Sequence, residues 1–121
     1  MDEGQILKEL MRREEQLMNN LTRADAGKVS ELMEDKCIDI SESGQRSVYR
    51  VGDTLLTSEG VVFITTESTT LSDLALDCKL LSYVSARIIV DKQSRTFNSS
   101  IWKQRGTAWK RVYHQGTVCL K

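Results

Sequence analysis

The stretch SSIWKQRGTAWKRVYHQGT, residues 99–117, holds both tryptophans of the chain and its only histidine, His114. An imidazole titrates near neutrality, so it can act as a general base or donate a hydrogen bond to a ligand. Tryptophan, tyrosine and arginine together suit something else, a surface that buries against a partner. A two-residue turn at Arg105-Gly106 would set Trp102 opposite Trp109. Side chains alternate between faces along a strand. One face then carries Asn98, Ser100, Trp102, Trp109, Arg111, Tyr113 and Gln115, and the other Phe97, Ser99, Ile101, Val112 and His114.

The second face is the more apolar, so it is expected to meet the core. That points His114 inward beside Ser99, where it serves as a catalytic or ligand-contacting group. The alternative is a core histidine satisfied by a neighbouring serine or backbone group. The first face, from Asn98 and Ser100 through Trp102, Trp109, Arg111 and Tyr113, is expected to be a homodimer interface. A ligand cleft on that face is the alternative.

Metal and cofactor chemistry find no support. The cysteines are Cys37, Cys78 and Cys119, with no C-x-x-C pair and one histidine to accompany them. This suits neither a zinc site nor a disulfide framework, and reduced cysteines without a cofactor are expected. Net charge is zero, but residues 1–78 carry 8 basic and 16 acidic side chains, while residues 79–121 carry 9 basic ones against Asp91 alone. Such asymmetry can mark an anion-binding surface, or an acidic half packed beside a basic one. With no net charge and with Lys and Arg spread over both faces, nucleic acid is not an expected partner. No run of about 18 apolar residues suggests a membrane span. The charged opening MDEGQILKELMRREEQ lacks a secretory core, so a cytoplasmic location is expected.

The elements that must position these groups follow from periodicity. Ile6, Leu7, Leu10, Met11, Leu17, Met18 and Leu21 recur at helical spacing, predicting a helix from Asp2 to Asn20 with Lys8, Arg12, Arg13, Glu15 and Gln16 solvated. Asp25 is a suitable N-cap for a second helix with Ala26, Val29, Leu32 and Met33 inward. Cys37–Ile40 reads as a strand and residues 41–44 as a turn; Val48–Leu56 reads as a short helix or single turn. From Val61 the chain is β-rich, with strands expected at 61–66, 69–75, 80–90, 96–103 and 108–115, and turns at 91–94 and 105–106. Helices followed by consecutive strands predict a single α+β domain over residues 1–121, with helices packed on one face of a curved antiparallel sheet.

Ser99-Ser100-Ile101-Trp102, the turn at Gly106, Trp109 and His114-Gln115-Gly116-Thr117 resemble the C-terminal hairpin of the nuclear-transport-factor-2-like superfamily, in its SnoaL-like and calmodulin-dependent-kinase-II-association-domain-like branch. The long first helix, Asp25 to Met33, Cys37 to Gly44, and Leu80-Leu81-Ser82-Tyr83 extend the resemblance along most of the chain. It implies a cone-shaped, cystatin-like fold, a pocket in the cone, and homodimers through the sheet. Tyr83 and Ser99 are then expected to bind a small organic molecule beside His114. The implied activities are SnoaL-like or ketosteroid-isomerase-like; the other implied role is a non-catalytic dimerisation or interaction module.

Overall fold

The structure is a computed structural model that describes residues 2–65 and 68–119. Helix α1 spans Glu3–Met18. Asp2 caps it by accepting from the Gln5 amide at 2.8 Å, while the Gln5 side chain accepts from the Asp2 amide at 2.9 Å. Asn19 ends α1 and starts the short α2, Asn20–Arg23, by accepting from the Leu21 amide. Helix α3, Ala26–Leu32, is capped by Asp25 as expected and buries Val29 and Leu32.

The strands are β1 (Met33–Ile40), β2 (Arg46–Val48), β3 (Val61–Ile64), β4 (Thr70–Ala75), β5 (Cys78–Ile89), β6 (Lys92–Arg105) and β7 (Ala108–Val118). They form one sheet in the order β2-β1-β7-β6-β5-β3, with β4 pairing the other end of β5. This is the expected α+β cone, with one difference. Strand β1 runs parallel to β7, so the sheet is mixed. A strand that pairs with the last one after the whole chain has intervened leaves no local sequence signal.

Two local expectations are corrected, and a third is settled between its alternatives. Val48–Leu56 holds a turn at Val51-Gly52 and no helix, after β2 ends at Val48. The β5–β6 hairpin turns at Val90-Asp91, two residues earlier than the polar run suggests, because Ile89 pairs with Lys92. The β6–β7 turn is Gly106-Thr107, since Arg105 pairs with Ala108. Trp102 therefore faces Arg111, and Trp109 faces Gln104. Thr66, the end of the strand expected at 61–66, lies outside the described residues.

Register decides where the chemistry points. On β6 and β7, Ile101 pairs with Tyr113 but Trp102 pairs with Arg111, leaving Val112 as the extra residue of a β-bulge. The bulge shifts alternation by one, so Arg111 and His114 both face the helices. The inner face thus holds Asn98, Ser100, Trp102, Trp109 and Arg111, which are 4%, 0%, 0%, 3% and 5% exposed. Phe97, expected in the core because its face is the more apolar, is on the outside and 43% exposed. Leu10, Leu17, Val29, Leu32, Leu81 and Tyr83 complete the core under α1 and α3.

Two backbone positions set a testable contrast. A Cβ on Gly60, at φ +80°, would stand 2.2 Å from the Ile88 carbonyl oxygen. Val90, β-branched and 93% exposed, holds φ +58° at the hairpin turn, a conformation that costs L-residues roughly 1–2 kcal/mol. Val90→Gly is expected to raise the urea midpoint, by about 1 kcal/mol of stability, while Gly60→Ala lowers it by more than that. A Val90→Gly protein no more stable than the parent would count against the strained turn.

Candidate functional site

Glu14 is the centre of the inner face. Positions 10, 14 and 17 share one stripe of α1, and with Leu10 and Leu17 buried, Glu14 is carried into the core. Its carboxylate is 0% exposed. Oε1 accepts from the Tyr83 hydroxyl and from Arg111 Nη1 at 3.0 Å, and Oε2 accepts from Trp102 Nε1 at 2.8 Å. Four elements, α1, β5, β6 and β7, meet at one carboxylate. Burial raises the Glu14 pKa, but the Arg111 charge, with help from His114 and the donated hydrogen bonds, outweighs it and holds the group below its ordinary value. Burial beside that anion pushes the Tyr83 hydroxyl well above its usual range.

A second cluster is less deeply buried, with the His114 and Asp39 side chains 17% and 39% exposed. His114 Nδ1 is 2.5 Å from Asp39 Oδ1, and its Nε2 is 3.0 Å from Asn98 Oδ1. Asp39 and His114 are register partners across the parallel β1–β7 pair, which is why they meet. Asn98 donates to Ser85 Oγ at 2.9 Å and to the Thr96 carbonyl at 3.1 Å, which fixes its oxygen toward the imidazole. Both ring nitrogens therefore face side-chain oxygens. Burial raises the pKa of Asp39, but the His114 hydrogen bond and the charges of His114, Arg111 and Arg23 hold it below its ordinary value.

These clusters border a cavity of about 450 Å³ between α1, α2, the sheet and the β1–β2 turn. Its charged lining is Arg23, Arg87, Arg111 and His114 against Glu14, Asp39 and Glu42. Every one of those carboxylates is engaged, Glu42 by the Thr96 hydroxyl at 2.7 Å. The guanidiniums are less satisfied. Among the described residues, Arg87 Nε and Arg111 Nε are buried without a hydrogen-bond partner. Burial depresses the pKa of Arg23, and the nearby charges of Arg111 and Arg87 depress it further against the pull of Asp39.

Of the residues expected at a ligand site, Tyr83 and His114 line this cavity. Ser99 does not; it lies on the outer face, paired with Ser82 and Gln115. The expected dimer-interface residues divide differently. Asn98, Ser100, Trp102, Trp109 and Arg111 are interior, so they present no surface to a partner, and Asn98 and Arg111 belong to the cavity instead. Tyr113 is on the outer side, bonded to Gln115 at 2.7 Å. The sequence reading missed Glu14 and Arg87. For Glu14 the signal was present, since a carboxylate at i+4 from Leu10 and i−3 from Leu17 cannot reach solvent if the stripe is core. Among the described residues, no group of three or more His, Cys, Asp or Glu side chains is arranged to hold a metal. Cys37, Cys78 and Cys119 are free thiols, and burial pushes Cys37 up to about 11.

Glu14→Gln would leave Arg111 buried without its counter-ion, at a cost of about 3–5 kcal/mol. Glu14 and Asp39 have folded pKa values below their ordinary ones. Their stabilisation is therefore complete above about pH 5 and is lost as pH falls toward the depressed folded values. Urea midpoints should be flat from pH 7 to about 5 and fall below about 4. Glu14→Gln should start lower and fall less steeply, and a variant with the parent's acid slope would show that Glu14 is not the titrating group.

Comparison with known proteins accords with this architecture. No protein-family model and no curated protein sequence matches the chain. Solved structures do. An NTF2-like protein from Cytophaga hutchinsonii superimposes with a TM-score of 0.66 at 16% identity, covering 98% of this chain and 100% of that one. The association domain of C. elegans CaMKII gives 0.71 at 13% identity, covering 95% and 97%. A putative ketosteroid isomerase from Parabacteroides distasonis gives 0.67 at 11% identity, covering 92% and 86%.

Proposed function

We propose that this chain, which has the NTF2-like fold, is a binding protein for a small organic carboxylate held in the cone cavity. The observation that carries this reading is the imbalance in the lining. Three guanidiniums share the cavity and two of them have a buried, unpartnered Nε, while every carboxylate there already accepts a hydrogen bond. A buried unpartnered donor is costly, and the planar guanidinium fork matches a carboxylate. Three arginines and an imidazole against three carboxylates leave a surplus of at most one positive charge. That suits a monoanion better than a doubly charged phosphate.

Proton-transfer chemistry of the ketosteroid-isomerase kind has less support. It needs a carboxylate free to take a proton and a hydroxyl free to donate one. Glu14 is saturated by three donors, and the Tyr83 hydroxyl is spent on Glu14. His114 has both nitrogens occupied. These groups position one another and leave the arginines to meet the ligand.

Self-association through the sheet is a second reading, with a specific observation behind it. The outer face exposes Phe63 and Phe97 at 41% and 43%. Phe63 and Phe97 flank β5 from either side, opposite Ala86 and Val84. The partner surface would then be this outer face, with Tyr113, and not the buried tryptophans. The fold is shared with the association domains of CaMKII proteins, which is consistent with a second copy as the occupant.

Binding is tested by NMR chemical-shift titration with propanoate, with propanol and propylamine as neutral and cationic controls. Propanoate should shift cavity resonances, the controls should not, and Arg87→Gln should weaken the effect at least about tenfold without loss of Tm. Equal responses to all three probes would sink the carboxylate reading. For self-association, Phe97→Glu is expected to reduce the mass seen by light scattering, and an unchanged mass would remove that face from consideration.

A further inference from the structure

A second cavity of about 390 Å³ lies beneath residues 45–56, behind the first. Arg23, Asp39, Ser41 and Arg111 line both cavities, so these four side chains form the partition between them. The covering segment is fastened to α2. The Leu55 amide donates to the Arg23 carbonyl at 2.8 Å, Arg23 Nε donates to the Leu56 carbonyl at 2.5 Å, and Asn20 exchanges two hydrogen bonds with Ser58. The chamber is therefore a built part of the fold.

Its polar chemistry differs from that of the first cavity. Tyr49 is 5% exposed and lines the chamber, and its hydroxyl has no hydrogen-bond partner, although the Gly52 amide lies near the oxygen. The hydroxyl proton thus has no acceptor. Arg111, at the partition, carries the other unpartnered donor. Asp39 and Asp53 are the carboxylates of this chamber, and it adds no cation beyond those it shares. A second anionic group would meet those carboxylates; a neutral acceptor would meet the free Tyr49 O–H. Leu55, Leu56 and Val48 supply apolar wall between.

We infer that the site is two-chambered: the ligand's carboxylate sits among the arginines, and a remote neutral oxygen acceptor, a keto or amide carbonyl, reaches past Arg111 to the Tyr49 hydroxyl. The ligand class is an acyclic oxo acid or acyl-substituted acid and not a simple short carboxylate. The inference rests on the carboxylate reading above, and its test separates the two.

Pentanoate, hexanoate and heptanoate are titrated against 4-oxopentanoate, 5-oxohexanoate and 6-oxoheptanoate, with Kd from NMR shifts. At one chain length or more the oxo acid should bind at least about fivefold tighter than its parent acid. Tyr49→Phe should erase that advantage while leaving the parent acid's Kd within twofold. Because the hydroxyl makes no hydrogen bond in the unliganded protein, Tyr49→Phe should keep or raise Tm. A lowered Tm would mean the hydroxyl is structural and would overturn the inference. Parent acids that bind as well as oxo acids at every length would overturn it too, with the carboxylate reading intact. If neither series binds, both fall.

Discussion

A single ionised carboxylate, buried at the centre of the molecule, constrains everything around it. The Glu14 side chain has no exposed surface, so its charge must be met by protein groups, and it is met by one cation and two neutral donors. Those donors come from three strands. Helix α1 cannot rotate or slide along its axis without leaving the carboxylate, Arg111 or the Trp102 indole unpaired. An apolar stripe alone would tolerate such slippage far better, because burial is nearly indifferent to direction. The pairing of Glu14 with Arg111 fixes the register between helix and sheet and thereby the depth of the cone.

The bulge at Val112 is the second constraint, and it works with the first. Without it, Arg111 and Tyr113 would share a face and His114 would point away. With it, Arg111 reaches Glu14, and His114 reaches Asp39 on the adjacent parallel strand. One inserted residue thus places a guanidinium and an imidazole in the same cavity three positions apart. The parallel pairing of β1 with β7 supplies the carboxylate for the second of them. The cavity's electrostatic character is therefore a product of strand register more than of composition.

Within the cavity, satisfied and unsatisfied groups divide by type. The carboxylates and the imidazole hold one another in place through Asn98, Ser85 and Thr96, while guanidinium donors remain free. Free donors in a partly enclosed space recognise charge and geometry; engaged acids and bases move protons poorly. This division is the physical ground for regarding the site as a recognition site.

The sequence by itself determined the long first helix, the helix cap at Asp25 and the succession of helices and then strands, because helical and strand periodicities and side-chain capping are local; the cone followed from the resemblance carried by the last hairpin. It also brought Tyr83 and His114 forward as site residues, and both line the cavity. It inverted the faces of β6, since apolar content alone assigns Phe97 and Ile101 to the core; the bulge at Val112, which no composition announces, then brings His114 onto the face of Trp102 and Arg111. It put Trp102 and Trp109 on a surface, although a polar-tipped aromatic is as well satisfied in a core when a buried carboxylate accepts its N–H. Only the tertiary structure decided that Glu14 is that acceptor, that Asp39 and His114 are neighbours, and that Arg23, Arg87 and Arg111 converge. Each of those depends on contacts between segments tens of residues apart, and a linear pattern carries no record of such contacts.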